Sequence, residues 1–505
     1  MPKNPLFRLV GPLVVLLLIA GCSSAEFSTP LEMAEGDVLT SYDDMMAFLG
    51  RLEAETGAFT IDTIGTSLEG RSLVALHFSD EEGIGPSEKL KVLIYAQQHG
   101  NEPSGKEAAI ALTRDIATGE FTDFLSAVDF YLIPQINPDG SEMEQRRNAS
   151  ENDLNRDHIA LFTPEVLALH TFFNQLQPDV TLDVHEYGFA SSSWVDAGFH
   201  KNFGQQIGAI SNANMSLELR TYAWDRVIPE MERELEPKNV VLRRYLVTDG
   251  PEARFRYSTA ALNDGRNSMG IYHSLSFLIE GRNGLAVESE IRERARQQLE
   301  TIKSFVGFFS RNASEVREMV AKEKAALTGG GVPADVSLVM DYVPDPSRPT
   351  VSVGVIDLET GQEQELVIEN FHPQVQSTFN VRRPLGYVVP AGLTEVIGVL
   401  ERHGIEMTKV ETATPATLEG YRIDAVTTTT KEDKEFLDVA VTGRRSEAQI
   451  QEGDFIVLCD QLATNLIVTL LEPQSQWGLA PLHEFVSLLT VGSEYPINRI
   501  IDLPG

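Results

Sequence analysis

The sequence predicts an α/β fold, with a mixed, largely parallel sheet flanked by helices, followed by a C-terminal β-rich domain. Three observations lead there. Short apolar runs alternate with helical patterns through the N-terminal part of the chain, the order expected of strands joined by crossover helices. Several of these runs stop directly at a chemically active residue. A glycine-rich break, G-G-G-V-P at Gly329 to Pro333, then separates them from a stretch of strand-like runs with few helical patterns between.

The chain is 505 residues long, which favours two or three domains over one core. It carries 41 lysines and arginines against 74 aspartates and glutamates, a formal charge of -33. Such a surface repels nucleic acid and anionic membrane faces, and no basic cluster reverses this locally. At the N-terminus, Lys3 and Arg8 precede an apolar stretch too short to span a bilayer comfortably, the pattern of a secretory signal. I-A-G-C at Ile19 to Cys22 resembles the cleavage box of bacterial lipoproteins. That resemblance implies a signal peptide over 1–21, a lipid on Cys22, a polar tether over 22–34 and an extracytoplasmic protein held to a membrane, with outer-membrane or cell-surface anchoring. Ser23 resembles outer-membrane sorting. The other cysteine, Cys459, sits in D-F-I-V-L-C and reads as a buried, inert thiol.

In chain order, Met45, Phe48, Leu49 and Leu52 recur at helical spacing behind a Ser41 cap. K-V-L-I-Y-A-Q is a buried strand ending just before His99, and a helix opened by Pro103 follows. F-Y-L-I-P-Q runs into N-P-D-G, a turn from Asn137 to Gly140. D-V-T-L-D-V ends at His185 and S-L-S-F-L-I at Glu280. A long helical stretch from about Val287 to Leu327 closes a first domain over 35–328. Beyond the break, 334–505 reads as an accessory domain of strands with one helix ending at Gly404.

H-G-N-E places His99 and Glu102 three residues apart immediately after a strand, and open α/β sheets gather ligands beyond the carboxyl ends of their strands. His185 and Glu280 fall at the ends of two other apolar runs. Any one of them alone would suit a structural strand end. Together they converge on one edge, where a metal accounts for otherwise costly burial. Two imidazoles and a carboxylate form a common catalytic zinc set. Competing motifs fail: H-E-x-x-H is absent, and Gly100 to Glu107 resembles a phosphate loop but puts Glu107 where Ser or Thr is needed. The serine elbow G-x-S-x-G is missing too.

H-G-N-E, N-P-D-G, R-R-N-A-S-E-N-D-L-N-R, H-E-Y-G and F-L-I-E-G-R, in that order, resemble the zinc carboxypeptidase family of carboxypeptidase A and B type across residues about 40 to 310. The resemblance implies one zinc per chain on His99, Glu102 and His185, and Glu280 as the carboxylate that takes a proton from the attacking water and returns it to the leaving amine. It further implies Arg146, with Arg147 as its rival, for stabilising the oxyanion. Asn155 and Arg156 would hold the substrate's free C-terminal carboxylate. Tyr257 and Tyr272 compete for the family's mobile tyrosine, and the side-chain-selecting pocket lies in the unaligned stretch before Gly265.

The implied function is therefore a zinc metallocarboxypeptidase acting on peptides. Two rivals remain: a zinc amidase or endopeptidase trimming cell-wall peptides, and a catalytically silent surface binding protein. Oligomeric state and the partner of the second domain are not encoded in any motif.

Overall fold

A computed structural model describes residues 27–79, 88–328, 335–431 and 434–503. The expected signal segment, Cys22 and the Gly329–Pro333 break lie outside them. The strands are β1 (Thr60–Thr66), β2 (Ser72–Phe78), β3 (Leu90–Ala96), β4 (Val128–Ile133), β5 (Val180–Tyr187), β6 (Phe199–Lys201), β7 (Gln205–Ala209), β8 (Leu242–Arg244), β9 (Leu246–Val247), β10 (Arg256–Tyr257) and β11 (Leu275–Arg282). An eight-stranded sheet runs in the order β1-β2-β4-β3-β5-β11-β7-β8. Its centre, β4-β3-β5-β11, is parallel, while β1, β2 and β7 join antiparallel. Every residue of β5 is buried, as continuous apolar runs covered on both faces require.

Helix Tyr42–Thr56 starts where Ser41 Oγ accepts from the Asp44 backbone N–H. It buries Met45, Phe48, Leu49 and Leu52, then stops at Gly57, whose φ of 63° is left-handed. Helices Ser104–Ala117 and Ile291–Arg311 pack on one another beside the sheet. The long C-terminal helix expected over 287–327 is two helices, Ile291–Arg311 and Ala313–Thr328, separated at Asn312, whose backbone leaves the helical region.

The polar tether expected over 22–34 is shorter than its composition implies. Phe27 is buried under the Arg51 guanidinium, and Thr29 caps a short helix, Pro30–Met33, whose Leu31 is buried. Thr40 is then pinned to helix Ser104–Ala117. Its N–H and hydroxyl donate to the buried Glu107 carboxylate, and its carbonyl accepts from Lys106 Nζ.

The C-terminal strands are β12 (Asp335–Val343), β13 (Val351–Asp357), β14 (Glu363–Ile368), β15 (Gln374–Arg382), β16 (Gly386–Val389), β17 (Thr408–Lys409), β18 (Thr414–Lys431), β19 (Lys434–Ile450), β20 (Phe455–Leu458) and β21 (Asn498–Asp502). They form antiparallel sheets, the largest ordered β17-β20-β16-β21-β18-β19. Helix Thr394–Arg402 ends before Gly404, at φ 67°. A second helix, Thr464–Leu471, is buried along its whole length. One apolar cluster joins both regions, taking in Leu93, Phe277, Leu338 and Ile467. β6 pairs antiparallel with β13 across the same boundary. Cys459 is free and buried, its thiol pushed up to about 12 by desolvation. Among the described residues no helix is long and apolar enough to cross a membrane.

Candidate metal and substrate site

Three chain segments meet at the carboxyl ends of β3, β5 and β11. After β3 the backbone turns through Gln97, at a left-handed φ of 55°, and delivers His99 and Glu102. The turn needs a bare backbone at Gly100: a Cβ there would lie 2.0 Å from the Gly140 carbonyl carbon. Gly140 belongs to the N-P-D-G turn, where Asn137 Oδ1 accepts from the Gly140 N–H and Asn137 Nδ2 donates to the Gln98 carbonyl. H-G-N-E and N-P-D-G are thus two halves of one backbone-to-backbone contact. His185 and Glu280 are register partners on the adjacent strands β5 and β11.

The arrangement concentrates donor atoms. His99 Nδ1 lies 2.8 Å from Glu102 Oε1, His185 Nδ1 lies 3.0 Å from Glu102 Oε2, and the two Nδ1 atoms are 3.2 Å apart. All three residues are buried, and one ligand atom from each falls within 4.8 Å of the others. The outer ring nitrogens are held by carboxylates: His99 Nε2 is 3.1 Å from Asp153 Oδ1, and His185 Nε2 is 2.9 Å from Asp183 Oδ1. Carboxylate partners of this kind orient an imidazole and raise its basicity towards a metal. The donor set therefore fits a divalent cation with nitrogen and oxygen preference, zinc foremost.

Electrostatics agree with that reading. Burial alone would raise the Glu102 pKa, but His99 and His185 hold the carboxyl well below the usual range. Burial likewise opposes ionisation of Asp153, and His99 with Arg146 overcomes it. Glu280 differs: burial dominates and pushes it up to about 7, with Glu102 adding and His185 opposing. A carboxyl near neutrality exchanges a proton readily in both directions.

Arg146 and Arg147 are separated by their contacts. Arg146 Nη1 reaches to 3.3 Å from Glu102 Oε1 and its Nε to 3.0 Å from Asp153 Oδ2, whereas Arg147 donates to the Glu151 carbonyl at an exposed turn. Asn155 Nδ2 lies 3.1 Å from His185 Nε2 and its Oδ1 accepts from the Gly265 N–H. Arg156 is exposed at the rim, with Nη1 on the Asn155 carbonyl. Arg146, Asn155, Arg156 and Glu280 line one cavity of about 280 Å³.

Neither tyrosine weighed from the sequence reaches this cavity. Tyr257 packs against Trp224 and Phe371, and Tyr272 is buried against Phe173 beside His403. Tyr245 lines it instead, its hydroxyl pushed up by burial and by Glu280. The far wall comprises Thr259, Asp264, Arg266 and Leu278. There Arg266 Nη2 pairs with Asp264 at 2.9 Å and also donates to the Thr259 carbonyl. Asp153, Asp183 and Tyr245 are missed by sequence reasoning. For Asp153 the signal was present, two residues before Asn155 inside a quoted motif.

Glu186 follows His185 but does not join the ligand set. It is buried, ion-paired to Arg294 at 2.7 Å, and accepts from the Ser104 N–H.

Comparison with known proteins adds an independent line. The sequence profile of the zinc carboxypeptidase family matches residues 45–190. Carboxypeptidase 2 of Trichophyton tonsurans is 23% identical over 91% of this chain and 86% of its own length. The catalytic chain of human carboxypeptidase N is 30% identical over 24% of this chain and 31% of its own. Among solved structures, a metallo-carboxypeptidase from Burkholderia cenocepacia superposes with a TM-score of 0.43 and 21% identity, covering 55% of this chain and 70% of that one.

Proposed function

The chain belongs to the zinc carboxypeptidase family and is a metallocarboxypeptidase, and on that premise we propose that it removes single residues from the free C-termini of peptides, with Glu280 as proton carrier. The observation that supports this most is the pairing of Glu280 with His185 across β5 and β11, which sets a carboxyl beside the three-ligand cluster in the cavity that all of them line or adjoin.

His99, Glu102 and His185 would hold the zinc. When bound, zinc supplies Lewis-acid polarisation of the scissile carbonyl and of water. The remaining work belongs to this chain's side chains. Glu280 accepts a proton from the attacking water and delivers it to the departing amine nitrogen. The Arg146 guanidinium, at the cavity mouth beside Glu102, donates to the carbonyl oxygen as negative charge develops there. Arg156, exposed at the rim with donors to spare, pairs with the terminal carboxylate through its planar fork. Asn155 keeps the clamp in register with the site, since its amide bridges His185 and the start of helix Gly265–Gly270.

The test is a comparison of peptides with free and amidated C-termini, with and without a chelator. Stepwise, chelator-sensitive release of single residues from the free form only is expected. Equal cleavage of the amidated form, or cleavage inside cell-wall peptides, would move the assignment to an amidase or endopeptidase. Folded protein that binds no zinc and cleaves nothing would return it to a binding role.

A further inference from the structure

A second cavity, of about 320 Å³, opens on the opposite side of the β8–β10 segment and is not used by the peptidase chemistry. Its walls come from both regions of the chain: Arg220, Trp224, Arg244 and Tyr257 from one, and Arg348 from the other. Three guanidiniums around one hollow are out of keeping with a chain whose formal charge is -33.

Their partners are uneven. Arg348 pairs with Asp345 at 3.0 Å. Arg244 donates to the Trp224 carbonyl and lies over two neighbouring rings, its Cζ 5.8 Å from the Trp224 centroid and 5.7 Å from that of Tyr257. Arg220 forms no ion pair among the described residues, and its Nε is buried without a hydrogen-bond partner. Burial pulls its pKa below the arginine value, as expected for a desolvated cation that no carboxylate compensates. Asp225 is the single carboxylate of the lining, and it is exposed. Arg220 is half-buried as a whole, but a buried donor left unmatched is costly unless a ligand completes it, and the fork of Arg fits carboxylate and phosphate oxygens two at a time.

We propose that the Arg220–Arg244–Arg348 cavity is a second binding site, for a small molecule bearing a carboxylate or phosphate group. The volume suits a small ligand. Its oxyanion meets Arg220 and Arg244, its body lies along the Trp224 and Tyr257 rings, and Arg348 closes the mouth. The site is wired to the metal cavity through the backbone. Arg244 lines one cavity and Tyr245 the other, Tyr257 lines one and Thr259 the other, and the Ser258 N–H donates to the Tyr245 carbonyl at 3.0 Å.

The test needs no turnover, so it stands apart from the peptidase assignment. The zinc-loaded, full-length protein is titrated at fixed ionic strength with inorganic phosphate and, separately, with succinate, following heat and tryptophan emission. Saturable binding of at least one probe is expected. Arg220→Gln and Arg244→Gln should each weaken it at least tenfold, while Arg146→Gln, in the metal cavity, should change it less than twofold. Preference between the two probes separates a phosphate from a carboxylate ligand. If Arg220→Gln fails to fold, Arg348→Gln at its exposed position serves, with at least a threefold loss expected. No saturable binding of either probe, or a loss confined to Arg146→Gln, would overturn the proposal.

Discussion

At the scale of single residues, the site divides into groups that touch the reacting atoms and groups that aim them. Glu280→Gln should lower kcat by about 10²–10⁴-fold while leaving zinc content at one per chain, checked by steady-state kinetics beside elemental analysis. The pH profile has a definite sign. Glu280 works as a base only when ionised, and burial lifts it to about 7. A bound cation draws it back towards the ordinary carboxylate range. Activity should therefore fall as pH drops, with an acid limb no higher than about 7, and the limb should vanish in the glutamine variant. Asp153→Asn, which leaves His99 Nε2 without its carboxylate, should weaken zinc about 10–100-fold, read by competition with a chelator of known affinity. The convergence of His99, Glu102, His185 and Glu280 was legible in the sequence because His99, His185 and Glu280 close apolar runs, where burial would otherwise be costly, and Glu102 follows His99 by three residues. Tyr245 was not, because its role arises only when distant segments fold together; Asp183, two residues before His185 on β5, was hidden inside an apolar run read only as a strand. Tyr257 and Tyr272 had suitable positions along the chain and point into other packing.

At the scale of elements, legibility followed hydrophobic period. The parallel strands β3, β4, β5 and β11 are the apolar runs themselves, and helix Tyr42–Thr56 follows its predicted stripe. Where period and tertiary context disagreed, the sequence misled. The stretch from Val287 to Leu327 keeps helical periodicity through Asn312, so nothing local marks the break. Helix Thr464–Leu471 is buried all round and has no polar face to reveal its period. The close contact of the H-G-N-E and N-P-D-G loops makes a clear prediction. Gly100→Ala forces a Cβ into the Gly140 backbone, and the H-G-N-E loop cannot yield without moving His99 or Glu102. Destabilisation on the order of 3 kcal/mol is expected from overpacking, visible as a lowered Tm together with weaker zinc binding.

At the scale of the whole molecule, the β-rich region is not loosely appended. The apolar cluster runs through both regions, and β6 completes a sheet with β13 and β14. A chain ending at Thr328 would lose Leu338 and Ile467 from the shared apolar cluster and bare the side of helix Ala313–Thr328 on which helix Thr464–Leu471 packs. It should be insoluble or melt well below the full chain, whereas the full chain should unfold in one cooperative transition by circular dichroism. The glycines of the Gly329–Pro333 break report composition alone, whereas the contacts between the two regions are made by residues far from it in the chain.

The burial of Phe27 and the pinning of Thr40 bear on how far the enzyme can roam. Phe27 is five steps along the chain from Cys22, and an extended chain spans at most about 3.6 Å per residue. A lipid on Cys22 would thus leave a leash of about 18 Å, shorter than the diameter of the body it holds. Such an enzyme would graze the film of solution against the bilayer and meet the peptides that pass there, while those in the open medium would escape it.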